Sequence, residues 1–299
     1  MNHKNHLAGI GFGLLAYGIW GFFPLYFRQL SHISPMDVLS NRAVWACVFV
    51  GILLTLRQGW GKVLAVFKTP HQFAMLALAA LLVGSNWLMF LWAVSHQQVV
   101  ASSLGYFLTP LVNVVLGLLV LKERLNRLEW ISVGLAVAAI INEVITLGSL
   151  PWVSLFLAAT FGTYGLVRKK VPVDALSGLW LETLAMLPIC AIYAIWQAQS
   201  GHLVFAAQDT STAAWLIGAG ILTAVPLIAF AAATQRLDLA TVGMLMYINP
   251  TMQFVTAIWI FGEPLQTARL VSFGLIWIGL IFFSWSMWGK LRDRKNATG

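Results

Sequence analysis

Charge is scarce in this chain. Of its 299 residues only 9% are charged, against 60% hydrophobic. A soluble domain carries about 25% charged residues. A water-exposed surface is therefore excluded, and lipid must cover most of the molecule. Cysteine is equally scarce. Cys47 and Cys190 both lie inside apolar runs, which excludes a disulfide framework or zinc spacing and leaves two small packing residues. No G-x-x-x-x-G-K-[ST] sequence offers a nucleotide phosphate cradle. Acidic clusters for magnesium pyrophosphate are missing, and the histidines fall in loops or termini. Prenyl transfer and intramembrane serine proteolysis are thus disfavoured, the chain does not read as an enzyme, and no metal or cofactor is expected.

What is present is long apolar runs. A span needs ~20 mostly apolar residues to cross a core ~30 Å thick. Ten stretches qualify: about 7–28, 38–56, 73–94, 99–121, 128–146, 150–167, 175–197, 212–233, 240–261 and 268–288. The first run is longer than a signal-peptide core and lacks an A-x-A site, so it reads as a retained helix. Lipid offers no partner for free backbone groups, which makes the spans helical. The connections are short, so neighbouring helices run antiparallel.

The net charge of +8 comes from loop residues without interleaved aromatics. It sets membrane orientation rather than nucleic-acid binding. With the N-terminus in the cytoplasm, Lys4, Arg57, Lys62, Lys68, Lys122, Arg124, Arg127, Arg168, Lys169, Lys170, Arg236, Lys290, Arg292, Arg294 and Lys295 all fall on the cytoplasmic side. Only Arg28, Arg42 and Arg269 do not. This bias places both termini inside.

The halves resemble each other. A shift of 140 residues carries Pro110 onto Pro250, Glu123 onto Glu263, Ser132 onto Ser272 and Gly134 onto Gly274; near the second span a shift of 137 carries Pro35 onto Pro172 and Asp37 onto Asp174. The expected architecture is all-α, with ten transmembrane helices as two five-helix repeats over 1–148 and 149–299. Five is odd, so the second repeat enters the membrane inverted. Inverted repeats build many secondary transporters, with a site near the midplane between the halves.

Several stretches carry a family resemblance: AYGIWGFFP at 16–24, Asn41-Arg42, GSNWLMFLWAV at 84–94 and ASSLGYFLTPLVNVVLG at 101–117. GSLP at 148–151, YGLVRKK at 164–170, Glu182-Thr183, TAVPL at 223–227, Asn249-Pro250 and Gly262-Glu263 complete the set. The chain resembles the EamA group of the drug/metabolite transporter superfamily, most closely its RarD-type proteins, over nearly its whole length. The resemblance implies a 5+5 inverted fold in the bacterial inner membrane and export of small metabolites or drugs. It implies a connection to chloramphenicol sensitivity or resistance, and places the fifth and tenth helices outside the central cavity. It also implies a neutral polar residue near Glu143.

Polar residues inside spans are costly and mark candidate sites. Glu182 lies ~12 Å into the seventh span at 1.5 Å per residue. It suits proton coupling or a structural interhelix hydrogen bond. Arg42 suits an anionic or carbonyl group of a substrate, snorkelling to the interface, or pairing with Glu143. Asn86, Trp87, Tyr106, Asn113, Tyr247, Trp20 and Tyr17 are candidate substrate contacts or helix-packing residues. Pro110 and Pro250 are candidate hinges or packing kinks. His96 reads as a solvated loop residue, Glu123 and Glu263 as turn residues, and Asp37 and Asp174 as helix N-caps. The expected partners are a small-molecule substrate and lipid, without nucleic acid; the oligomeric state is open. A channel or a non-transporting helper subunit is the alternative to a carrier.

Overall fold

The computed structural model describes residues 3–297 except 121, 123–124, 201–208, 235, 238–241 and 243–244, so Glu123 lies outside the described residues. Among the described residues there is no strand. In chain order the helices are α1 (His3–Gly21), α2 (Phe23–Arg28), α3 (Pro35–Leu56), α4 (Trp60–Phe67), α5 (Pro70–Ser95) and α6 (Val99–Val120). They continue with α7 (Arg127–Leu147), α8 (Trp152–Lys170), α9 (Ala175–Gln199), α10 (Thr210–Thr234) and α11 (Ile248–Val255). A π-helical turn (Thr256–Ile260) then leads to α12 (Thr267–Ala297).

Eight stretches among the described residues are long and apolar enough to cross a membrane. They are Leu7–Arg28, Pro35–Leu56, Pro70–Ser95, Val99–Val120, Arg127–Thr146, Ala175–Gln199, Thr210–Phe230 and Arg269–Ser286. The sixth expected span is α8, whose last turn carries Arg168, Lys169 and Lys170. The ninth contains α11 and the π-helical turn, and part of the segment ahead of it is outside the described residues. Ile145, Ile192, Trp259 and Trp285 are each more than two-thirds exposed. Large apolar side chains facing outward on so many helices fit a lipid solvent.

The helix starts follow local chemistry. Asp174 caps α9, its Oδ1 accepting from the Ser177 N–H at 3.2 Å. Asn126 and Glu129 form a reciprocal capping box at α7. Asp37 does not cap α3. Pro35 fits the first helical position, where its missing N–H costs nothing, so the helix begins at Pro35 with Ser34 as its cap residue. Asp37 is left in the first turn, accepting from Gln197 Nε2 at 2.9 Å. Glu263 does more than end a turn: its two carboxylate oxygens accept the N–H groups of Val99 and Val100, each at 2.8 Å, and so cap α6. His96 ends α5, stacking on Trp92 with ring centroids 4.3 Å apart.

Helix pairing positions the core. The principal pairs are α7 with α12, α6 with α8 and α11, α1 with α10 and α11, α5 with α8 and α9, and α3 with α9 and α10. Exchange the set α1–α2, α3, α5, α6, α7 with the set α8, α9, α10, α11, α12 in order. Each principal pair then falls on itself or on another principal pair. Close crossings use small residues: a side chain at Gly105 of α6 would meet the Ser154 carbonyl of α8 at 2.7 Å.

Candidate functional site

Two buried polar nodes lie in the helix bundle. The first centres on Arg42 of α3, which is 2% exposed. Ala43 and Ala46 beside it are fully buried and leave room for a long side chain. Arg42 Nε donates to Thr223 Oγ1 of α10 at 2.7 Å. The guanidinium carbon lies 4.0 Å from the ring centroid of Trp87, 5.2 Å from Phe27 and 5.3 Å from Phe23. Among the described residues Arg42 Nη1 has no hydrogen-bond partner. Among the described residues no carboxylate is within 4 Å of the guanidinium.

Magnitudes show what this arrangement wants. A desolvated cation–π contact is worth ~2 kcal/mol at best, and only Trp87 approaches closely. Burying an ion costs several kcal/mol. The aromatic cage offsets part of that cost, and an anion seated against the fork would offset the rest. Glu143 is not that anion: its partner is Arg269, whose Nε lies 3.6 Å from Oε2.

Asn86 and Tyr106 stand beside this node. Tyr106 donates to Asn86 Oδ1 at 3.1 Å, while Asn86 Nδ2 donates to the Leu157 carbonyl at 3.0 Å and to Thr160 Oγ1 at 2.9 Å. The amide is fully buried, and both of its ends are engaged. It ties α5 to α8 and aims the Tyr106 hydroxyl.

The second node centres on Glu182 of α9, 1% exposed. Its Oε1 lies 3.2 Å from Arg168 Nε, and Oε2 accepts from the Tyr164 hydroxyl at 3.2 Å. Both partners come from α8. Arg168 Nη2 also donates to the Val173 carbonyl at 3.3 Å. A side chain at Gly178 would overlap the Arg168 guanidinium, so glycine makes room for the pair. A run of rings joins the nodes: Tyr106 to Phe161 at 5.9 Å, then Phe161 to Tyr164 at 5.9 Å.

The other sequence candidates stand apart from this pair. Tyr17 and Trp20 pack edge-on at 5.4 Å and share a cluster with Phe230. Asn113 is exposed, with its Oδ1 against Gly162. Tyr247 is half-buried against the core. Pro110 lies inside α6, and Pro250 is the third residue of α11. Sequence reasoning missed Thr223, Phe23, Phe27, Tyr164 and the role of Arg168. All but Phe27 lie in stretches that carry the family resemblance, yet nothing in one sequence shows which side chains meet.

A family model described as EamA-like transporter family matches residues 7–142. An uncharacterised transporter of Pseudomonas aeruginosa is 44% identical, with 98% of each chain covered. Protein RarD of Escherichia coli is 40% identical over 95% of this chain and 96% of that protein. In fold, the chain aligns with a protein solved by crystallography at a TM-score of 0.56 and 18% identity, covering 94% of this chain and 98% of the other.

Proposed function

The chain belongs to the EamA-like transporter family, among its RarD-type members, and we propose that it is a secondary carrier that exports small organic anions from a bacterial cell. It is a multi-pass membrane protein and not an enzyme. The proposed architecture is ten spans, with 1–148 and 149–299 as inverted repeats and both termini cytoplasmic in the inner membrane. The exchange symmetry of the helix pairs supports the repeats. The distribution of basic residues supports the orientation.

The observation that carries the substrate reading is Arg42, buried with a free nitrogen and, among the described residues, without a carboxylate. In this reading a carboxylate or phosphate docks on its fork when the halves part, as bidentate geometry favours. Trp87 and Tyr106 flank it, and Asn86 orients Tyr106. Tyr17, Trp20, Tyr247 and Asn113 line the proposed passage beyond it. Glu182, held by Arg168 and Tyr164, is the proposed proton-coupling group.

Counterflow in reconstituted vesicles tests the proposal. Vesicles preloaded with a mixture of small carboxylates, phosphate esters and amines are assayed for exchange of each labelled compound. Chloramphenicol is included because of the RarD-type resemblance. Saturable exchange of anions is expected; unsaturable flux would indicate a pore, and exchange of amines alone would remove Arg42 from the site.

A further inference from the structure

A cavity of about 410 Å³ opens where the α5–α6, α7–α8 and π-turn–α12 connections meet. Its lining includes Gln97, Glu143, Ser149, Trp152, Gln266 and Arg269. It is separate from both nodes above, since none of their residues lines it.

Glu143 is 1% exposed, and among the described residues neither of its carboxylate oxygens receives a hydrogen bond. Its counter-charge is Arg269, at 3.6 Å through Nε, and that nitrogen also lacks a hydrogen-bond partner. Both charges sit at unfavourable helix ends. Glu143 is four residues from the C-terminal residue of α7, where the partial charge is negative; Arg269 is in the first turn of α12, where it is positive. Glu263 also lines the cavity, but its oxygens are committed to Val99 and Val100.

We propose that this cavity binds a small zwitterion, with its ammonium on Glu143 and its carboxylate or phosphate on Arg269. An ammonium supplies three donors to oxygens that have none. A carboxylate or phosphate matches the guanidinium fork. The Trp152 ring in the wall suits the ammonium as well. The volume falls in the lower part of the ~300–1,000 Å³ range of small-molecule sites. Two sources share this chemistry: a free amino acid and the headgroup of an ethanolamine phospholipid.

Titration of the purified full chain, stripped of phospholipid, tests the site. L-alanine, ethylamine and acetate are compared by calorimetry. Phosphatidylethanolamine and phosphatidylglycerol are compared by native mass spectrometry. The zwitterionic probes should bind, with ethylamine and acetate each at least about tenfold weaker. Glu143→Gln and Arg269→Gln should each weaken alanine at least about tenfold. Retained phosphatidylethanolamine that alanine does not displace assigns the site to lipid; displacement assigns it to the free molecule. Melting curves establish that each variant is folded. Ethylamine binding as well as alanine overturns the proposal, as does alanine binding at parental strength to folded Glu143→Gln. Failure of alanine and phosphatidylethanolamine alike also overturns it.

Discussion

Ser103 of α6 donates to the backbone carbonyl of Pro250 at 2.8 Å, joining the two helices that carry the matched prolines. One residue earlier, Ser102 donates to Gln253 Oε1 at 3.3 Å. The two prolines are not equivalent. Pro110 lies inside α6 and denies the Tyr106 carbonyl its usual N–H partner. Pro250 lies in the first turn of α11, where N–H groups have no intrahelical acceptor in any case.

The hinge reading therefore predicts unequal effects. Pro110→Ala restores a helix hydrogen bond and stiffens α6. Turnover in vesicles should fall roughly tenfold, a barrier change of ~1.4 kcal/mol, while the half-saturation concentration is unchanged. Pro250→Ala should stay closer to the parent. A drop in affinity with normal turnover would show that Pro110 shapes the site instead.

Acid stability probes the start of α9. Burial alone would raise the pKa of Asp174, but its bond from the Ser177 N–H and the nearby Lys62 bring it below the ordinary carboxylate value. Lys62 Nζ lies 3.6 Å from Oδ2. A folded-state pKa below the unfolded one adds stability above the unfolded value, lost as pH falls through the folded value. Asp174→Ala should cost about 0.5–2 kcal/mol at neutral pH, as lost caps do. The gap in melting temperature between parent and Asp174→Asn should narrow on acidification below pH ~4. A gap that widens would mean the charge is not what holds this cap.

Much of this was legible in the sequence, for identifiable reasons. Lipid imposes length and apolarity on each span, so helices near 35–56, 70–95 and 99–120 could be read from composition. Pro35 shifted one start because a proline fits the first helical turn. Arg42 also suits snorkelling to the interface, but the burial of Glu182 was readable, since charge inside a span must find a cavity or a partner. Their partners were not. The Glu182–Arg168 pair links residues on consecutive helices, yet Arg168 reads as one of three basic loop residues that set orientation. Thr223 reaches Arg42 across 181 residues. Only the packing of α3 against α10 and of α8 against α9 decides these meetings.

Arg42 yields a prediction in which stability and function separate. Removal of a buried charge that lacks a carboxylate relieves a desolvation cost. Arg42→Met should therefore melt at or above the parental temperature. Substrate binding should weaken about 30-fold or more, the lower end of truncating one side of a buried charge pair. Arg42→Lys keeps the charge but loses the planar fork, so it should fall between the two. A destabilised Arg42→Met that still binds substrate would identify Arg42 as a packing residue.

Glu182 separates coupling from support. Its carboxylate joins Arg168 and Tyr164 of α8 to α9, and removal of one partner of a buried pair typically costs ~3–5 kcal/mol. Glu182→Gln keeps the shape and still offers Tyr164 an acceptor, but it neither binds nor releases a proton near neutral pH. The variant should melt below the parent, because Arg168 is left without its counter-charge. If Glu182 couples protons, counterflow of labelled substrate should survive, since exchange needs no net proton movement. Accumulation driven by an imposed pH gradient should vanish. A purely supporting carboxylate gives the other pattern: lower melting temperature, with the remaining activity still following the gradient. Arg168→Gln completes the comparison by leaving the carboxylate in place without its cation. Under the coupling reading it should move the pH at which transport is half-maximal, and under the supporting reading it should only lower stability. Parental gradient-driven accumulation by folded Glu182→Gln would remove Glu182 from the coupling step.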